Sequence, residues 1–353
     1  MDLDFLRELV AIPSETHDTA AVNRATAAMR DRLAAVPGIR TATEKLGDRE
    51  ILWASTADGR DPDAMFLVHL DVVPAPPELY EMRREGDRVF GRGVVDDKGN
   101  AVVVAEVLRR LAGTGVSAGA VFAADEETGG ETSARMAALG YKGRKIVAVM
   151  DADPWTIANA QKGTTYLTVR ARGRGGHSSV PWKLDNPIEK LMEGWCKVRA
   201  AWPAPPEGSE WGDTATVTKI SAGDVPNRIP DTAEMTVNVR FTEPGGDQKA
   251  AEFVRKVSGL EAEVSSASFG PVFCDEKHPT LAALRDEMVR AFGREIPFTQ
   301  LNGATDSRHF VGSGAPIATI GVEGGDMHCN GEWASVASYD AYADMLEAFC
   351  KKL

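Results

Sequence analysis

Short apolar runs that stop at metal-binding side-chain types constrain this chain more than any other feature. Residues 64–68 run into His69, residues 121–124 into Asp125-Glu126-Glu127, and residues 146–150 into Asp151. A fourth run, 317–322, lies shortly before His328. Apolar runs this short are the form taken by strands buried on both faces. Residues 101–111 read as a helix between two of them, and residues 18–33 as an earlier helix with Asp18 as its N-cap. Strand and helix in alternation imply an α/β fold, a largely parallel mixed sheet flanked by helices. Ligands of such open sheets bind beyond the carboxyl ends of the strands. The runs therefore aim three carboxylates and two imidazoles at one place, counting Asp96 at a helix start after Gly91-Arg92-Gly93. That set suits two divalent cations, zinc most naturally, with cobalt or manganese as substitutes.

The texture changes near Gly163. Residues 165–172, 214–220 and 233–241 alternate like strands with one wet face. Residues 186–199 and 246–257 read as helices, and 262–267 as a further strand. After Pro279 the α/β texture returns, with a helix at 281–292, a strand at 317–320 and a last helix at 339–351. The expectation is a discontinuous catalytic domain, 1–163 with 276–353, carrying an α+β insert at 164–275. At 353 residues the chain is long enough for two cores. Its net charge of −12 argues against a nucleic-acid or anionic membrane partner. No apolar run approaches the roughly 20 residues of a spanning helix. The start is amphipathic and acidic rather than signal-like. Cys196, Cys274, Cys329 and Cys350 are scattered, which fits a reducing cytoplasm.

Individual motifs carry the chemistry. Alternation puts His69 and Asp71 on one side of a strand, so Asp71 can take the second ring N–H of His69. Asp96 and Asp97 follow a glycine turn that fails as a dinucleotide fingerprint, because Asp96 stands where its last glycine belongs. One of the two is a ligand, and a carboxylate can bridge two cations. Of Glu126 and Glu127, one can bind metal while the other faces water. Asp151 is favoured over Asp153 because it ends its run directly, and His328 over His309 as the second imidazole. Cys329 reads as a small thiol rather than a ligand.

These segments together resemble the co-catalytic zinc exopeptidases and deacylases. That group spans dipeptidases, carnosinases, tripeptidase, aminoacylase, acetylornithine deacetylase, succinyl-diaminopimelate desuccinylase and glutamate carboxypeptidase. The matching segments are His69-x-Asp71, Gly91-Arg92-Gly93 with Asp96-x-Lys98-Gly99, Asp125-Glu126-Glu127, Gly175-Gly176-His177-Ser178 and His328. The resemblance implies that Asp96 bridges two metals, across a cis bond to Asp97. His69 and Asp151 then complete one site, and Glu127 and His328 the other. Glu126 is implied as general base, Asp71 as the group orienting His69, and His177 as donor to the substrate carbonyl oxygen. Asn227, Arg228 and the 303–308 loop, with Gly303 and Ser307, resemble the segments that hold a substrate carboxylate. The insert resembles a lid and dimerisation domain, which implies a homodimer. Asp rather than Glu at 151, and Lys162-Gly163 after it, resemble the dipeptidases. The expected reaction is hydrolysis of a peptide or amide bond in a small carboxylate-bearing substrate, with N-acyl-amino-acid deacylation as the alternative.

Overall fold

A computed structural model describes residues 1–205 and 207–353. The chain divides into two compact units. One comprises Met1–Ala160, Phe273–Thr299 and Thr305–Leu353, and the other Gln161–Val272 and Gln300–Ala304.

The first unit is built on a mixed sheet. Its centre is four parallel strands in the order Ala118–Ala123, Ala64–His69, Ile146–Val149, Ile317–Thr319. Every residue of these four strands is buried, as the uninterrupted apolar runs require. Antiparallel strands flank the centre. Ile157–Gln161 pairs with Ile317–Thr319 on one side. On the other, Arg49–Ser55 pairs with Ala118–Ala123 and with Arg40–Leu46. The hairpin of Arg40–Leu46 and Arg49–Ser55 was not anticipated, because the first strand is polar and only half-buried. The helices Lys98–Leu111 and Val336–Cys350 pack on each other and enter the core with Phe66, Val68, Phe122 and Tyr339. The Thr19–Ala34 helix is capped by Asp18, whose carboxylate accepts the Ala21 N–H.

The register explains where side chains emerge. His69 pairs opposite Ala123, so the Ala64–His69 strand ends level with the turn that carries Glu126 and Glu127. The Ala118–Ala123 strand begins three residues before its expected start. Gly119 is its weak point in sequence terms, yet a Cβ there would lie 2.7 Å from the Trp53 ring. The absent side chain leaves room for the neighbouring strand's indole.

The second unit has its own core. Its antiparallel sheet runs Thr214–Ala222, Thr232–Phe241, Gly163–Arg172, Glu261–Val264. Alternate residues such as Leu167, Val169, Met235, Val237 and Val239 are buried beneath the helices Pro187–Ala201 and Gly246–Ser258. The other face stays partly wet, which is the alternation seen in the sequence.

Candidate metal centre

Two clusters of potential ligands form at the carboxyl ends of the parallel strands. His69, Glu126 and Asp151 offer ligand atoms within 4.8 Å of one another, and so do Asp96, Glu127 and His328. Asp96 stands between them. Its Oδ1 lies 3.0 Å from His69 Nε2, and its Oδ2 lies 2.9 Å from His328 Nε2. Glu127 Oε2 is 3.1 Å from the same His328 nitrogen. Asp153 is exposed and outside both clusters, and Cys329 is exposed as well. His309 lies within 3.8 Å of Asp306 and joins neither cluster.

Local structure sets this geometry. The Asp96–Asp97 peptide bond is cis. Asp97 does not face the clusters with a free carboxylate alone; its Oδ2 accepts the His69 backbone N–H at 2.9 Å. Gly99 is the second residue of the following helix, and a Cβ there would sit 2.0 Å from the Val94 carbonyl oxygen. Glu126 and Glu127 lie on a single 3-10 turn, Glu126–Thr128, rather than on a continued strand. That turn sends neighbouring carboxylates to different clusters. Asp71 holds the turn: its Oδ1 accepts the Glu126 N–H at 3.2 Å and its Oδ2 the Glu127 N–H at 3.3 Å. The Thr16 hydroxyl also donates to Asp71, at 2.7 Å. The nearest acceptor for His69 Nδ1 is the Asp71 backbone carbonyl, at 3.0 Å, with the Asp71 carboxylate at 3.4 Å. Asp71 thus reaches the His69 ring mainly through its backbone, because its side chain is engaged by the turn.

The electrostatics are those of crowded negative charge. Burial, and then the Asp151 and Asp306 carboxylates, push Glu126 well above its ordinary range. Burial and Asp96 do the same to Asp151. Hydrogen bonds to Asp96 and Glu127 push His328 up to about 10. Burial opposes ionisation of Asp96, but contacts from His328 and His69 override it and hold the group well below its ordinary value. Protons here balance charge that cations would balance better. Glu127 Oε1 is buried with no hydrogen-bond partner among the described residues. An acceptor left in that state costs free energy unless something electropositive meets it. The donor set and this orphaned oxygen both fit divalent cations.

Two acids near the clusters were not expected from the sequence. Asp306 lines a small cavity with His69, Glu126 and Asp151. Glu332 is completely buried, and its carboxylate accepts backbone N–H groups from the segment that ends at Asp96. Neither ends an apolar run, so nothing in the local pattern marks them.

The other expected residues fall elsewhere. His177 is exposed on the two-residue strand Gly176–His177, paired with Arg228–Ile229 so that His177 lies opposite Arg228. The Asn227 carbonyl accepts the Ser178 N–H at 3.0 Å. Arg228 donates to Asp231 at 2.7 Å. These three belong to the second unit, as does exposed Gly303, whereas Ser307 is buried in the first.

The family model for Peptidase family M20/M25/M40 matches residues 65–352. The chain belongs to this family. It is a metallohydrolase of C–N bonds, and the resemblance read from its motifs holds at that level. Among M20 relatives, the chain is 26% identical to a succinyl-diaminopimelate desuccinylase of Gluconacetobacter diazotrophicus, covering 99% of this chain and 96% of that one. It superposes on the aminopeptidase PepT of Bacillus cereus with a TM-score of 0.81 at 18% identity, covering 99% and 97% of the two chains. A dinuclear metal-binding M20 peptidase of Bacillus subtilis gives a TM-score of 0.68 at 15% identity, over 99% and 96%. The M20 fold is therefore shared across the whole chain. Among the described residues, no helix is long and apolar enough to cross a membrane.

Proposed function

We propose that the protein hydrolyses the peptide bond of a dipeptide or other small peptide ending in a free carboxylate, using two divalent cations, most naturally zinc. The observation that carries this reading is Asp96 standing between two His-and-carboxylate clusters, the first of which also includes Glu126. His69 and Asp151 would hold one cation, Glu127 and His328 the other, and Asp96 both. When bound, the cations polarise the scissile carbonyl and make a nearby water more acidic. Glu126 accepts that water's proton as it attacks, then hands it to the leaving amine. Asp71 keeps Glu126 and Glu127 at fixed spacing through their backbone amides. His177 donates a hydrogen bond to the developing oxyanion. Asn227, Arg228, Gly303 and Ser307 bind the substrate carboxylate, for which a guanidinium fork is suited. The second unit serves as lid and dimer contact, and the enzyme works as a cytoplasmic homodimer.

An aspartate at 151 supports the peptidase reading. The desuccinylase relatives support a second, in which the same machinery removes an N-acyl group from an amino acid. A panel of dipeptides, N-acetyl and N-succinyl amino acids, assayed with Zn2+, Co2+ and Mn2+, separates them. Dipeptide turnover well above that of every acyl substrate is expected. Preference for a succinylated substrate would replace the first reading with the second.

A further inference from the structure

Glu332 takes no part in either ligand cluster, yet it is 0% exposed. Its Oε1 accepts the backbone N–H groups of Gly93, Val95 and Asp96 at 2.9, 3.1 and 3.3 Å. Its Oε2 accepts from Nη1 of Arg92, itself buried. Its backbone carbonyl accepts the Gly91 N–H at 3.2 Å. Every one of these contacts is with the segment 91–96. Convergent backbone N–H groups of this kind form an anion-binding concavity, and here the anion is a side chain of the same fold. The carbonyls of the segment are satisfied separately. Gly93 O accepts from Gly99 N–H, Val95 O from Asn100, and Val94 O from the Tyr339 hydroxyl. Of the segment's amides, Arg92 N–H donates to the Leu79 carbonyl and Val94 N–H to the Gly91 carbonyl, and Glu332 gathers the other four.

Its position along the chain gives this arrangement a consequence. Glu332 lies four residues after His328 and immediately before the strand Trp333–Ser335, which pairs with Arg88–Phe90. One carboxylate therefore joins the turn that ends at Asp96 to the segment that carries His328. The separation of these two groups, 2.9 Å between Oδ2 and Nε2, is set across that junction.

We infer that Glu332, charge-matched by Arg92, is a positioning residue that fixes Asp96 relative to His328 and so sets the affinity of the second cluster for its cation. The inference rests on the metal centre proposed above. It differs from a purely structural role in what it predicts. A structural plug would lower stability alone, whereas a positioning residue alters cation binding in protein that is still folded. Groups that orient metal ligands from behind are typically worth 10–100-fold in metal affinity or activity.

Metal-free full-length protein is titrated with Co2+ and followed by its visible absorption, with thermal unfolding recorded in parallel. Wild type is expected to take up two equivalents. Glu332→Gln should leave one equivalent bound as in wild type and weaken the other by about 10–100-fold, with a changed visible spectrum. The amide oxygen can still gather the N–H groups, but the amide nitrogen then faces Arg92, donor against donor. The double substitution Arg92→Met with Glu332→Gln removes that clash and should recover most of the lost affinity, which also serves if the single variant folds poorly. Leu284→Ala, in the buried face of the Pro279–Phe292 helix, is the destabilised control and should bind Co2+ as wild type does. Unchanged affinity in folded Glu332→Gln overturns the inference. So does an equal loss in the Leu284→Ala control. Failure of wild type to take up two equivalents overturns the metal-centre reading itself, and this inference with it.

Discussion

Glu126 and Glu127 differ by a single position, yet on their 3-10 turn they reach different clusters. Glu126→Gln keeps the shape and removes the base. Its kcat should fall about 10²–10⁴-fold while metal analysis still finds near two ions per chain. Retention of more than about a tenth of the wild-type kcat would assign the base elsewhere. Asp96→Ala removes the carboxylate that reaches both imidazoles, and metal analysis should show both ions lost. One ion fully retained would place the bridge on another acid. The candidate ligands were legible in the sequence because strand ends announced them: His69 and Asp151 follow directly on buried runs. Glu332 and Asp306 were not, since a lone acid on a loop or at the start of a short 3-10 helix has no periodicity and its burial depends on segments distant in the chain. The sequence puts the Asp71 carboxylate on the second ring N–H of His69, whereas the nearest acceptor to that nitrogen is the Asp71 backbone carbonyl. The carboxylate sits at 3.4 Å, but the amides of the glutamate turn hold it.

At the scale of elements, the joint between the segment 91–96 and the Lys98–Leu111 helix leaves no room for a side chain at Gly99. A methyl group on Gly99 would meet the Val94 oxygen at 2.0 Å and the Tyr339 hydroxyl at 2.5 Å. Neither can retreat easily, because the two are hydrogen-bonded to each other. Gly99→Ala should therefore destabilise by at least the 1–3 kcal/mol typical of overpacking, read as a lower denaturation midpoint at unchanged slope. An unshifted midpoint would mean that the helix start relaxes freely. The parallel strands and long helices were legible from apolar runs and caps such as Asp18. The hairpin of Arg40–Leu46 and Arg49–Ser55 was not, because a polar edge strand looks like a loop until its partner is known. The early start of Ala118–Ala123 was hidden by small residues, whose strand signal comes from Trp53 packing across them.

For the whole molecule, each unit has its own apolar core, and all the proposed ligands belong to the first. A cation that binds only the folded state stabilises by about 2.7 kcal/mol at a hundred times its dissociation constant. For a domain of roughly 150–250 residues that corresponds to a shift of about 5–10 °C. Calorimetry with and without EDTA should show one transition moving by about that much per ion and the other staying in place. Two transitions moving together would show that the units unfold as one. Mixing inactive Glu126→Gln with inactive His177→Ala protein tests whether His177 serves a partner's centre. Partial recovery of activity is expected, since a mixed dimer holds one site with both residues intact. No recovery in a sample shown to exchange subunits would confine His177 to its own chain. The strand Ile317–Thr319 also has a consequence during synthesis. It is the parallel neighbour of Ile146–Val149, but the ribosome makes it roughly 170 residues later. At about 5–20 residues per second, the open edge of Ile146–Val149 waits roughly ten to thirty seconds for its partner. A buried, all-apolar strand with one edge open for so long is a template for wrong pairing. The insert made in that interval folds around its own core, so the delay is a built-in hazard that a cell's chaperones would meet first at this one edge.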